Sequence, residues 1–203
     1  MNARFFWLVP NILKIDMKKL IAIFLLTSLF LSCKTNNSKN RLEVTQDLTS
    51  YTFQVKVDNN EDLEIFEDGI IPWISIKNPK SELKNLIGKD NILFKANVVT
   101  LIIDYPLTHP TSIDLRPKSS KGFTREDLVM QISAEYNRIY KEEEETAINK
   151  TIPIEDRKSL INRNTTDGKY GICGHDIDDL DLSEVVIRIS EKGELILELI
   201  IES

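Results

Sequence analysis

The chain has no basic excess. Its 203 residues hold 26 Lys and Arg against 32 Asp and Glu, a net charge of −6. Phosphate groups would be repelled rather than collected, which excludes nucleic acid or an anionic membrane surface as the main partner. The chain also lacks the length for two comfortable domains, and it carries no internal repeat. It is not short of apolar residues, at 41%. These are patterned, which excludes a disordered chain. No apolar run is long enough to stay in a bilayer: Leu20 to Leu31 as a helix spans roughly 18 Å, against a hydrocarbon core of roughly 30 Å.

The N-terminus has a layout of its own. From Met17 the chain reads MKKLIAIFLLTSLFLSC: Lys18 and Lys19, the apolar run, then Ser32 and Cys33. This is the three-part order of a secretory signal peptide. Its ending, Leu29-Phe30-Leu31-Ser32-Cys33, resembles the lipobox of bacterial lipoproteins. The resemblance implies that Cys33 is diacylated on sulfur, a palmitate-type anchor, and becomes the new N-terminus. It covers about 17 residues and implies nothing about the fold downstream. In that family an aspartate after the lipidated cysteine signals retention at the inner membrane. Lys34 stands there instead and points outward, to the outer membrane or a periplasm-facing site. The segment 34–40 is free of apolar residues and reads as a flexible tether. The first 16 residues fall outside the layout, which makes Met17 the expected start.

These readings divide the chain into a leader and signal peptide over 1–32, a lipidated Cys33 with a polar tether to 48, and one domain over 49–203. Removing Arg4, Lys14, Lys18, Lys19 and Asp16 from the 26 basic and 32 acidic side chains leaves 22 against 31, a net charge of −9. The exported part is therefore more acidic than the whole. Of the two cysteines, an acylated Cys33 cannot form a disulfide, so Cys173 is expected as a lone thiol, partly or fully buried.

The body reads as an α+β fold: an antiparallel sheet of about six strands with one long amphipathic helix packed on one face. Tyr51 to Val57 alternates as a strand. Leu63–Phe66 and Ile70–Ile76 read as short strands around the Asp68-Gly69 turn, with Pro72 near an edge. Ser81 to Ile87 reads as a short helix stopped by Gly88. Ile92 to Asp104 reads as one long central strand, and Ser112 to Arg116 alternates again. The helix is expected over Arg125 to about Ala147. Thr124 caps it, Asp127 lies three residues on, and Phe123 and Leu128 form a staple. Its core face is Leu128, Val129, Ile132, Tyr136, Ile139, Tyr140 and Ala147. Four successive glutamates, Glu142 to Glu145, splay around the axis and read as a solvated helix end. Lys158 to Arg163 reads as a helical turn. Glu184–Ser190 and Glu194–Ile201 form a hairpin through Gly193.

One stretch concentrates unusual residues. Asn162 to Asp181 holds three of the seven glycines, one of the two histidines and one of the two cysteines. Loops of this composition carry function when a fold is a scaffold. Arg163, Asp167, Lys169, Tyr170, Cys173, His175, Asp176 and Asp178 are its candidate binding residues. Gly168, Gly171 and Gly174 have the wrong spacing for a phosphate loop. Leu180 and Asp181 break the calcium-loop template, and no second ligand pair accompanies Cys173, His175 and Asp176 for zinc. His109, between two prolines, reads as an exposed loop residue. No catalytic, metal or cofactor constellation is complete.

The expectation is thus a membrane-tethered, non-enzymatic binding or accessory domain whose partner is a protein or peptide. One alternative is a metal-dependent or thiol hydrolase built on His175 with Asp176, Asp178 or Cys173. The other is an immunity-type protein that offers an acidic face to a toxin.

Overall fold

A computed structural model describes residues 44–158 and 162–203, with side chains of strand residues from 49 onward. The leader, the lipobox and Cys33 lie outside the described residues. Among the described residues there are ten strands and two α-helices: β1 (Val44–Thr52), β2 (Val55–Lys56), α1 (Asn60–Ile65), β3 (Ile70–Ile71), β4 (Ile74–Ser75), β5 (Ile92–Phe94), β6 (Val99–Ile103), β7 (Thr111–Leu115), β8 (Phe123–Thr124), α2 (Arg125–Thr146), β9 (Asp181–Ser190) and β10 (Leu195–Glu202).

The main sheet has six strands in the order β1-β9-β10-β6-β7, with β4 also pairing β9. With α2 it makes an α+β fold. All its junctions are antiparallel except one: β10 runs parallel to β6, with Ile196 opposite Thr100 and Leu197 opposite Leu101. A parallel pair needs a crossover, and here the chain passes through β7, α2 and β9 before β10 returns beside β6. Strand alternation does not reveal that return.

α2 forms where its sequence specifies it. The Thr124 hydroxyl accepts from the Asp127 N–H at 3.1 Å, and Ala147 closes the helix. Leu128, Val129, Ile132, Tyr136 and Ile139 are at most 1% exposed and join Val99, Leu101, Ile103, Val185, Ile187 and Leu197 of the sheet in one buried cluster. Truncating a residue such as Ile132 to alanine at this junction costs about 2–5 kcal/mol.

Several elements differ from their expected form. β1 begins at Val44, inside the segment expected as tether. Its alternation breaks after Thr52, so Val55–Lys56 leaves the main sheet and pairs with β3. Leu63 to Phe66 is not a strand. Asn59 caps α1 there, its side chain accepting from the Asp62 N–H at 2.8 Å. Ser81 to Ile87 is not a helix: a 3-10 turn over Pro79–Ser81 is followed by further turns. The stretch from Ile92 to Asp104 is two strands in different sheets, β5 with β8 and β6 with β7. Between them Lys95 and Asn97 are exposed, too polar to continue a buried strand. The helical turn expected over 158–163 falls partly outside the described residues.

Candidate functional site

The segment from Asn162 to Asp181 is anchored at the C-terminal end of α2, and the anchor is Glu143. This carboxylate is fully buried. Its Oε1 accepts from the Thr166 hydroxyl at 2.6 Å and the Gly168 N–H at 2.8 Å, and its Oε2 from the N–H groups of Tyr170 at 2.7 Å and Gly171 at 3.1 Å. Burial alone would raise the pKa. The Thr166 hydroxyl and the three backbone donors outweigh it and hold the carboxyl below its usual range. The solvated helix end is therefore corrected in part: Glu144 and Glu145 are exposed, Glu142 is half-buried and Glu143 is inside.

The glycines follow from this clamp. A Cβ on Gly168 would sit 2.7 Å from Glu143 Oε2, and one on Gly171, whose φ is +63°, would sit 1.9 Å from Thr108 Oγ1. The same closeness ties the segment to the loop after β6. Thr108 and His109 donate their N–H groups to the carbonyls of Gly171 and Tyr170, and the Cys173 N–H donates to Pro106, each at 2.9–3.0 Å. His109 itself is exposed, as its setting between prolines implies.

Each candidate residue has a definite place. Tyr170 is buried. Its hydroxyl donates to Glu142 Oε2 at 2.7 Å and accepts from Arg138 at 3.0 Å. Lys169 reaches the same carboxylate at 2.8 Å, and Lys169, Arg138 and Tyr170 together hold the Glu142 pKa down to about 2. Asp167 Oδ1 accepts from the N–H groups of Ile148 and Asn149, closing the chain behind α2. Asp176 takes both guanidinium nitrogens of Arg157, at 2.6 and 3.1 Å, and lies 3.7 Å from Arg163. Arg163 is buried with its guanidinium 5.2 Å over the Tyr140 ring, and its Nε has no hydrogen-bond partner. Asp178 pairs with Lys77 at the surface.

His175 Nε2 lies 2.8 Å from the Tyr105 hydroxyl, which lies 2.8 Å from Ser203 Oγ in turn. The His175 carbonyl accepts from Tyr140, whose hydroxyl burial pushes well above its ordinary pKa and so keeps a donor. Cys173 is half-buried and disulfide-bonded, not the lone thiol expected. In this bridged state the sulfur supplies no thiolate to the hydrolase reading. His175, Asp176 and Asp178, the other residues of that reading, each take a different partner: Tyr105, Arg157 and Lys77. Among the described residues no group of three or more His, Cys, Asp or Glu is placed to hold a metal ion.

Sequence reasoning missed Glu143, Arg157, Tyr105 and Ser203. Only Glu143 left a signal: 136, 139, 140, 143 and 147 are the spacing of one helix face, so a glutamate stands within the apolar stripe. Among the described residues no helix is long and apolar enough to cross a membrane. Compared with protein-family models, curated proteins and solved structures, the chain matches none.

Proposed function

We propose that this chain is an exported lipoprotein, tethered to the membrane through Cys33, whose α+β domain is a non-enzymatic binding or accessory module. It faces the periplasm or sits at the outer membrane. The observation that carries this reading is the order of Lys18-Lys19, the apolar run Leu20 to Leu31, and Ser32-Cys33. Recognition over catalysis is supported by how 162–181 uses its polar groups. Glu143 fixes its backbone, and Glu142 and Arg157 hold the Tyr170 and Asp176 side chains, which suits a preorganised contact surface for a protein or peptide. The strand β7, at one end of the sheet, is a second contact candidate. A further reading, an immunity-type protein that neutralises a toxin, is favoured by the six carboxylates between Asp58 and Asp68.

Acylation of Cys33 and a disulfide at Cys173 compete within one chain, because the sequence holds only two cysteines. A lipidated chain carries Cys173 as a thiol or bridged to another molecule. Intact mass spectrometry from a bacterial host, with and without inhibition of the lipoprotein signal peptidase, tests the tether. The expected species begins at Cys33, carries acyl mass and disappears under inhibition. An unmodified chain beginning at Met1, two hydrogens lighter than its reduced form, overturns it.

A further inference from the structure

The residues from Lys56 to Trp73 form a lobe of which only Ile71 packs against the core. It contains seven apolar residues, Val57, Leu63, Ile65, Phe66, Ile70, Ile71 and Trp73, yet none of its residues is buried. α1 buries nothing at all. Leu63 is 45% exposed and Ile65 72% exposed. Phe66 stands three residues after Leu63 and meets Trp73 edge-on, with ring centroids 5.7 Å apart. Six residues are too few to hold a helix by propensity. The Asn59 cap and the β2–β3 pair hold it in place, with the Val57 N–H donating to Gly69 at 3.0 Å. A built element that leaves Leu63 and Ile65 exposed beside half-buried Phe66 and Trp73 marks a contact surface.

Its charge selects the occupant. Asp58, Glu61, Asp62, Glu64, Glu67 and Asp68 face one basic residue of the lobe, Lys56. Asp58 is paired with Lys84 at 2.7 Å, and among the described residues Glu61, Glu64 and Glu67 have no ion-pair partner. Anionic lipid is repelled by such a surface. So is a second copy docked through the same face, since an isologous contact sets like charges against each other. We infer that the lobe from Lys56 to Trp73 docks a basic amphipathic segment of a partner protein, with the partner's apolar side chains on Leu63, Ile65, Phe66 and Trp73 and its cations on the surrounding carboxylates. Aromatic anchors within a charged rim are the arrangement that gives both affinity and steering.

The site is distinct from 162–181 and stands whether or not Cys33 is acylated, so its test fails separately from that of the tether. The probe is a 14-residue Lys/Leu peptide of helical amphipathic pattern, titrated into the full chain carrying Trp7→Phe, which leaves Trp73 as the sole tryptophan, excited at its red edge where tyrosine does not absorb. The expected result is a saturable blue shift of Trp73. It should be absent with a Lys/Ser peptide of equal charge and with a Glu/Leu peptide of equal pattern. Ile65→Glu and the pair Glu64→Lys with Glu67→Lys, all at exposed positions, should each weaken binding about tenfold or more. Ile148→Glu, at a side chain 91% exposed outside the lobe, should not. An equal response to the Lys/Ser peptide would reduce the lobe to an acidic cluster and overturn the inference. No response, or a dimer in sedimentation that Ile65→Glu abolishes, would overturn it too.

Discussion

The backbone N–H of Tyr170 donates to the buried carboxylate of Glu143 across 2.7 Å, a bond that joins the last turns of α2 to a segment 27 residues further along the chain. Three more donors converge on the same group. Glu143→Gln keeps the shape but turns one oxygen into an amide that faces N–H groups with N–H. Losing charge-assisted bonds and leaving buried donors unpaired should cost about 2–4 kcal/mol in urea denaturation. Hydrogen exchange should accelerate at Gly168, Tyr170 and Gly171 well before it does in β9. Unchanged protection at those amides would mean the clamp is not what orders the segment.

Two carboxylates push the pH dependence in opposite directions. The folded pKa of Glu143 is lowered, so its stabilisation is complete above the ordinary glutamate value of about 4.3 and is lost as pH falls through the lower folded value. Asp181 behaves oppositely. Burial, followed by the nearby Glu82 and Glu202, raises it to about 6, so the fold binds its proton more tightly than the unfolded chain. Stability is therefore given up as pH rises from about 3.9 towards 6. Asp181→Asn should match the native protein at pH 3.5 and exceed it at pH 7 by about 1 kcal/mol, a figure discounted for the half-exposed site. A difference that does not change between those pH values would show that Asp181 is not perturbed.

What the sequence made legible follows from how local the determining contacts are. α2 was readable because cap, staple and apolar stripe all lie within its own residues. The hairpin of β9 and β10 was readable because Gly193, with φ at +80°, turns the chain between two alternating runs. The parallel return of β10 to β6 and the break between β5 and β6 depend on contacts far apart in sequence, which alternation does not encode. The stretch from Leu63 to Phe66 reads as a strand because four apolar-rich residues fit either period, and the Asn59 cap that makes it helical lies outside them. At the candidate site, composition singled out a segment but not how its side chains pair. Lys169 pairs with Glu142 and Asp176 with Arg157, while Glu143 takes the Thr166 hydroxyl and backbone N–H groups, partners that spacing does not reveal.

The two arginines beside Asp176 should respond oppositely to removal of their charge. Both side chains are nearly buried, 5% exposed for Arg157 and 6% for Arg163, and one carboxylate serves both. Arg157 holds that carboxylate with two hydrogen bonds and donates its Nε to the Ile152 carbonyl, so its charge is fully answered. Arg163 stands 3.7 Å from the same carboxylate, with its Nε unpaired and only the Tyr140 ring beneath it. A buried ion pair is costly to break from one side, whereas a buried cation with poor partners is replaced by an apolar side chain at little loss. Arg157→Met should therefore lower the melting temperature, since it leaves Asp176 dependent on Arg163 alone. Arg163→Met, of similar reach, should fall between neutral and about 1 kcal/mol more stable. Thermal denaturation of the two variants at pH 7 reads the contrast directly. Equal losses for both would mean that Asp176 serves the two guanidinium groups alike.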